Sequence, residues 1–357
     1  MSTTTTYKSW VLNEYVKGEL NKDNFRLVEQ PLPKDIPTNH VLIRTLYVGF
    51  EPAMRPSISL GKSYREPHPL NTPMWAFGIG VVAESKSSRY KRGQKVVGML
   101  DWSEYTVLPE KEVWPYDADV GLQHLSALSA PGVAAHVGLV AVANVKKGDV
   151  VLVSAAAGAT GSVAIQVAKA VGASRVIGIA SKSKCQSVLD NGADACVDYT
   201  SPNFESDLRK ATNRKVNVYF DNVGGKILDA ALPCMAMFGR VALCGMIAEY
   251  NKIGADAAEK FGIKNLIVAV SQSLTLRGYV VIKGLTPDDD LRRANRELTQ
   301  WIKEGKIKAS IYDFPQPGIE HCPDALKGLL VGQNTGKMTL RIAKDAREVL
   351  AASSSKL

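Results

Sequence analysis

The sequence predicts an α/β protein of two domains: a β-rich domain and a doubly wound parallel sheet flanked by helices. Three observations carry this. Short apolar runs separated by Pro and Gly fill the chain to about residue 130. Strand and helix patterns then alternate to about residue 308. A glycine-rich turn joins the first strand of that alternation to its first helix.

In the first part, residues 41–48 read as a strand, and 78–84, 95–100 and 105–108 follow at short intervals. Pro31, Pro33, Pro37, Pro67, Pro69 and Pro73 punctuate the loops. Short strands so spaced suggest a small barrel or sandwich. Residues 126–142 are small and apolar and read as closely packed helices. Strands are then expected at 149–154, 175–180, 195–198, 216–221 and 239–244. Helices are expected at 162–171, 183–191, 204–212 and 226–232. A later helix has its own start signals: Thr286 as cap, Pro287 at the first position, and Asp288, Asp289 and Asp290 at the positive end of the dipole. It should run to Lys303, with Gly305 beyond. The tail from Ala309 to Lys344 returns to strand-like segments. The domains are therefore expected at 1–130 with 309–357, and at 131–308.

With 44 Lys and Arg against 35 Asp and Glu, the net charge is +9. The cations are scattered, apart from a run at 86–92 expected to be a solvated loop. No apolar run is long enough to span a bilayer, and residues 1–6 do not read as a secretory signal. The five cysteines show no C-x-x-C pair, which predicts free thiols used as small apolar residues in a reducing compartment. Ser355, Lys356 and Leu357 spell a peroxisomal import address, to be read by an import receptor. The expected localisation is the peroxisome, or the cytoplasm if the address is not used.

The turn at residues 153–163 reads Val-Ser-Ala-Ala-Ala-Gly-Ala-Thr-Gly-Ser-Val. A dinucleotide fingerprint would be Gly-x-Gly-x-x-Gly, and Ala156, Gly158 and Gly161 stand at those positions. Gly158 lets the backbone approach a pyrophosphate, and Gly161 lets helix and strand pack closely. Ala159 and Thr160 complete the turn, whose helix end offers N–H groups to phosphate. The second strand selects the cofactor. An NAD site places a carboxylate about 20 residues on, at the ribose. Here residues 179–184 read Ile-Ala-Ser-Lys-Ser-Lys, with no acid. Ser181, Lys182 and Lys184 suit a 2′-phosphate, which predicts NADP(H). The first 130 residues hold no cysteine, and His40, His68 and His124 are isolated, so no metal site is expected.

Four blocks, 154–162, 219–225, 238–247 and 301–307, together resemble the zinc-independent medium-chain dehydrogenase/reductase superfamily. Within it the chain is similar to the leukotriene B4 12-hydroxydehydrogenase/prostaglandin reductase and alkenal double-bond reductase group. The resemblance implies a GroES-like substrate and catalytic domain, a Rossmann domain, and a cofactor in the cleft between them. It carries the pyrophosphate turn to Gly158–Gly161, the 2′-phosphate lysine to Lys184, and adenosine and nicotinamide-side contacts to Tyr199 and Asn222. Segments at the nicotinamide end match Cys244, Gly245, Met246, Ile247 and on to Tyr250, then Tyr279, Val280 and Val281, and Asn334.

The implied reaction is hydride transfer from NADPH to the C=C bond of an α,β-unsaturated ketone or aldehyde. Charge develops on the carbonyl oxygen, so a donor is needed there. A phenol is protonated near neutral pH and can donate. Tyr250 is the catalytic candidate, with Tyr279 and the cofactor's ribose hydroxyl as rivals. Two departures bear on the substrate pocket: Ala53 replaces a family tyrosine, and His136 replaces another. They imply a larger or specialised site, and the imidazole is a second candidate acid. Quinone or 2-enoyl-thioester reduction is the alternative enzymatic reading. An RNA-binding or crystallin-like structural role is the non-enzymatic one, although no nucleic-acid motif is present and no nucleic-acid or membrane partner is expected. A homodimer is the default oligomer.

Overall fold

The computed structural model of the protein describes residues 5–61, 66–253, 261–282 and 284–351. The chain divides into two units: Met1–Leu125 with Tyr312–Asn334 and Met338–Leu357, and Ser126–Ile311 with Thr335–Lys337. Residues 335–337, expected in the β-rich domain, side with the second unit. There the Gly336 N–H donates to Ala157 O at 2.7 Å.

The first unit begins with an antiparallel ribbon, β1 (Thr6–Leu12) on β2 (Phe25–Pro31). Then come β3 (His40–Gly49), the short helix α1 (Met54–Ser57), β4 (Trp75–Ser85), β5 (Lys95–Asp101), β6 (Tyr105–Pro109) and β7 (Val113–Pro115). β3 is the hub: it pairs with β4 along its length and with β6 over His40–Arg44. Its register shifts twice against β4, and such irregularities let a strand bend and serve more than one neighbour. Lys86, Arg89, Lys91 and Arg92 in the basic run are exposed, while Tyr90 between them is buried.

The second unit opens with α2 (Ala130–His136), which runs into a π-helical turn at Val137–Val142. The alternation follows: β8 (Val150–Val153), α3 (Ala159–Ala170), β9 (Arg175–Ala180), α4 (Cys185–Asp190), β10 (Ala195–Asp198), α5 (Phe204–Thr212), β11 (Val216–Asp221), α6 (Gly225–Ala231), β12 (Met235–Leu243), α7 (Ile267–Ser271), β13 (Thr275–Gly278) and α8 (Asp288–Lys303). The six strands are parallel, in the order β10-β9-β8-β11-β12-β13. The chain runs outward from β8 on one side and from β11 on the other. That reversal is where open α/β sheets bind ligands, beyond the strands' carboxyl ends. The strands are near-continuous apolar runs because helices cover both faces.

The chain then returns to the first unit through β14 (Ile311–Asp313), α9 (Cys322–Leu330), β15 (Lys337–Arg341) and α10 (Ala346–Ala351). β15 pairs with β3 over Tyr47–Gly49 and completes a seven-stranded sheet. Trp102 sits fully buried at this unit's core, with the Phe25 and Phe50 rings 5.2 and 5.3 Å from it.

Four local expectations change. The tail, expected to be strand-like, carries helix α9 at Cys322–Leu330 between β14 and β15. Helix α3 starts at Ala159, not residue 162, so Ala159, Thr160 and Gly161 form its first turn. Thr286 does not cap α8: its hydroxyl donates to Val280 O and accepts from the Ile282 N–H, and Pro287 takes the cap position. Cys185 and Cys196 are not free thiols but are joined as a disulfide. Their 11-residue separation gives no local signal; α4 and β10 bring them together.

Candidate functional site

The pyrophosphate turn is built by one strained residue and two close approaches. Ala155 takes φ +46, a left-handed conformation costing about 1 kcal/mol in a residue with a Cβ. It turns the chain so that Ala156 N–H reaches Ile179 O on the neighbouring strand. Ala156 is fully buried. Its methyl group would lie 2.8 Å from a Cβ at Gly178. The space for the alanine in place of the fingerprint's first glycine is therefore provided by Gly178 on β9. At Gly161 a Cβ would sit 2.8 Å from Ala156 Cα and closer still to Ala155 O. Gly158 caps helix α3 and no side chain bonds to the helix end, so the first-turn N–H groups are placed to meet an anion.

A buried polar network clamps this turn to the end of β11. Asp221 has no solvent exposure. Its Oδ1 accepts from Ser154 Oγ at 2.8 Å, Tyr219 OH at 2.6 Å and the Val223 N–H at 3.1 Å, and Oδ2 accepts from the Gly224 N–H at 3.1 Å. Burial pushes the Asp221 carboxyl up, and these donors pull it back. Every one of these partners donates to it, which suits the ionised form. Burial also raises the Tyr219 phenol well above its ordinary range, so it stays a donor. Ser154 then fixes Asn222: its Oγ accepts the Asn222 N–H at 2.8 Å and its carbonyl accepts from Nδ2 at 2.7 Å. The Asn222 side-chain oxygen is left as the acceptor the site offers. The blocks at 154–162 and 219–225 hold the side chains of this network, but the sequence assigned a role only to Asn222; the bonds that join Ser154, Tyr219 and Asp221 needed the fold.

Most of the sequence-selected residues follow the carboxyl ends of successive strands of this one sheet. Ser181 follows β9 and leads a 3-10 turn at Lys182–Lys184. Partial burial lowers the Lys184 ammonium from its ordinary value. Tyr199 follows β10; its N–H donates to Ala180 O, which holds it beside Ser181, and its side chain is half exposed. Asp198, just before it, carries a carboxylate, and Thr200 engages one of its oxygens through N–H and hydroxyl.

Cys244 and Gly245 follow β12, and both N–H groups donate to Asp221 O. The Ile247 N–H reaches Asn222 O. Tyr250 folds back over this loop: its OH accepts from the Met246 N–H at 3.5 Å, and a Cβ at Gly245 would meet that oxygen at 3.3 Å. Tyr279 follows β13, with Val280 and Val281 behind it. Its OH donates to Ala134 O at 2.7 Å, so this rival phenol is already committed. Burial keeps it far above its ordinary range and pushes the neighbouring Cys244 thiol up to about 12. Gly138 makes room for the ring, since a Cβ there would collide with Tyr279 OH.

His136 does not join this group. It is 2% exposed, its Nε2 lies 2.7 Å from Glu297 Oε2, and its ring lies 5.7 Å from that of Trp301. Both partners are on α8, so the imidazole is a helix-packing group and burial lowers its affinity for a proton. Ala53 and Asn334 belong to the first unit: Ala53 precedes α1, and Asn334 is buried in the turn before β15.

Among the described residues no group of three or more His, Cys, Asp or Glu side chains could hold a metal ion. The residues do fit a dinucleotide with a 2′-phosphate. A helix end with no side-chain cap meets the pyrophosphate, and a serine and lysine stand where a carboxylate would select against the phosphate.

Comparison with known proteins agrees with this geometry. Residues 8–116 match the family model described as the N-terminal domain of oxidoreductase, and residues 159–304 match that described as zinc-binding dehydrogenase. The chain is 30% identical over 356 residues to the NADPH-dependent curcumin reductase of Escherichia coli strain K12, covering 95% of this chain and 97% of that protein. It is 30% identical over 357 residues to the NADP(+)-dependent 2-alkenal reductase of Nicotiana tabacum, covering 97% of this chain and 100% of that one. The crystal structure of CurA from Vibrio vulnificus in complex with NADPH superposes with a TM-score of 0.84 at 30% identity, covering 94% of this chain and 99% of CurA.

Proposed function

The chain belongs to the zinc-independent medium-chain dehydrogenase/reductase family, and from that premise we propose that it saturates the C=C bond of an α,β-unsaturated ketone or aldehyde. It is an NADP-dependent oxidoreductase of the double-bond-reductase kind. The observation that carries the reading is the row of loops at the carboxyl ends of β8 to β13. They bring a phosphate-binding helix end, Ser181 with Lys184, Asn222, and a loop topped by Tyr250 onto one edge of one sheet.

NADPH, when bound, supplies a hydride to the substrate's β-carbon. The chain's part is to bind and orient. Gly158, Ala159, Thr160 and Gly161 take the pyrophosphate, Ser181 and Lys184 the 2′-phosphate, and Tyr199 the adenosine. Asn222, Cys244, Gly245, Met246, Ile247, Tyr279, Val280 and Val281 serve the nicotinamide end. Tyr250 donates to the carbonyl oxygen as negative charge builds on it. The bond from Tyr279 to Ala134 O and its burial count against Tyr279 in this role. Ala53 leaves space for a bulkier substrate than a small alkenal.

The test is to mix the protein with NADPH and a panel of enones and enals and follow nicotinamide absorbance. Saturated carbonyl products support the reading, and no turnover on any member sinks it. Product analysis also separates the alternatives, since quinone reduction would yield a hydroquinone and a 2-enoyl thioester its saturated acyl product. A structural or RNA-binding role would leave every substrate untouched.

The import address at Ser355–Leu357 lies outside the described residues; peroxisomal delivery is proposed on its sequence alone, and deleting it should abolish import of a fluorescent fusion. A homodimer is proposed because β13 is an edge strand, and the apolar Ile267 and Val270 of nearby α7 are exposed. Sedimentation measures it. No described helix is long and apolar enough to cross a membrane.

A further inference from the structure

The Cys185–Cys196 disulfide lies inside the segments that recognise the phosphorylated end of the cofactor. Cys185 opens α4 directly after Lys184, whose N–H donates to Ser181 O. Cys196 lies on β10, opposite Gly178 in register and three residues before Tyr199. The Cα atoms are 5.4 Å apart, and both residues are half-buried, within reach of a small thiol. The bridge therefore ties the start of α4, beside the phosphate-binding cation, to the edge strand that carries the adenosine contact. α4 has only six residues and no side-chain cap, and β10 has a single strand neighbour. The disulfide adds a covalent tie to the packing of Val188 on β9 and the pairing of β10 with β9.

We propose that Cys185–Cys196 is a redox modification site that sets affinity for NADPH: the disulfide holds the 2′-phosphate subsite in its binding arrangement, and the dithiol releases it. The inference rests on the assignment of Ser181, Lys184 and Tyr199 to that end of the cofactor. The physical basis is preorganisation. A cross-link between α4 and β10 removes motions that binding would otherwise have to freeze, and so tightens it. The exchange partner is a small disulfide such as glutathione disulfide. One cysteine thiolate attacks it and expels one small thiolate. The second cysteine attacks the mixed disulfide and expels the other. The two protein thiols lose two protons and two electrons, and the small disulfide becomes two thiols. A dithiol reductant reverses the step.

The test uses the full-length protein in two states, oxidised with glutathione disulfide and reduced with dithiothreitol, each verified by thiol titration. Dissociation constants for NADPH and NADH are then measured by nicotinamide fluorescence. Reduction is expected to weaken NADPH about five- to tenfold and NADH less than about twofold. C185S and C196S should both match the reduced protein and ignore the oxidant. Equal NADPH affinity in the two redox states overturns the proposal, as does an equal shift for NADH. The reduced wild-type protein keeps the test valid if a variant misfolds. K184A separates this idea from the site it rests on. If K184A weakens NADPH relative to NADH while redox state changes nothing, the switch fails and the subsite stands. If K184A leaves the ratio unchanged, the subsite assignment fails and takes the switch with it.

Discussion

Gly161→Ala and Gly158→Ala should separate the two jobs that glycine does in the pyrophosphate turn. At Gly161 the new methyl carbon would lie 2.8 Å from Ala156 Cα and 2.9 Å from Ala155 C. Carbon atoms rest at about 3.5 Å or more, so these two contacts alone demand a retreat of about 0.7 Å, and the closer approach to Ala155 O demands more. Both obstacles are backbone, and Ala156 is fully buried behind them. Overpacking of this kind costs about 1–3 kcal/mol. In a unit of this size that lowers the melting temperature by roughly 3–10 °C. The same displacement moves the N–H groups aimed at the pyrophosphate and should weaken NADPH at least about tenfold, or about 1.4 kcal/mol. Gly158 is different. Its φ is −79, and a Cβ there would meet only Ala155 O, at 3.2 Å. G158A should therefore melt within about 1 kcal/mol of the wild type yet still bind NADPH poorly, because the methyl occupies the approach to phosphate. Differential scanning fluorimetry with and without NADPH reads both effects. If G161A melts with the wild type and binds NADPH equally well, the steric account of the turn is wrong.

Other predictions follow from the same structure. Tyr250→Phe should cut kcat on an enone about 10- to 100-fold while NADPH affinity is unchanged, whereas Tyr279→Phe should mainly cost about 1 kcal/mol of stability through its lost bond to Ala134; equal kinetic losses in both would contradict the assignment. His136→Ala should lower the melting temperature and leave kcat/KM intact, since the ring touches Glu297 and Trp301. Burial raises the Asp101 carboxyl to about 6. The folded protein then holds a proton that the unfolded chain releases near pH 4, so this group's contribution is full below about pH 4 and is lost as pH rises through about 6. Asp101→Asn should remove that downward step, worth up to about 3 kcal/mol, and a melting-temperature profile from pH 4.5 to 8 that is identical in both proteins would refute it.

The strands and helices of the second unit were legible because each is a local pattern. Val150–Val153 and Arg175–Ala180 are short apolar runs rich in Val and Ile, and their length and β-branched content favour strands buried on both faces. The absence of a carboxylate after β9 could be read directly, and so could the cations at Lys182 and Lys184. Hidden were features that depend on which face an element turns. The π-helical turn at Val137–Val142 is an irregularity that the pattern of small residues did not reveal. The resemblance placed His136 at the substrate pocket, but α2 turns it onto Glu297 and Trp301 of α8. Thr286 had the chemistry of a cap but found a better partner in Val280 O.

Patterns spanning no more than about 25 residues were enough to identify the phosphate turn, the charge that selects NADP(H), and the order of elements. Periodicity, glycine sterics and helix-end potential all act over that range. The tertiary structure decided the rest, because it depends on residues far apart in the chain. Gly178 opens the space that lets Ala156 replace a glycine. Asp221 gathers Ser154 from another strand to aim Asn222. Cys185 meets Cys196 only because a helix start and an edge strand share one corner of the sheet.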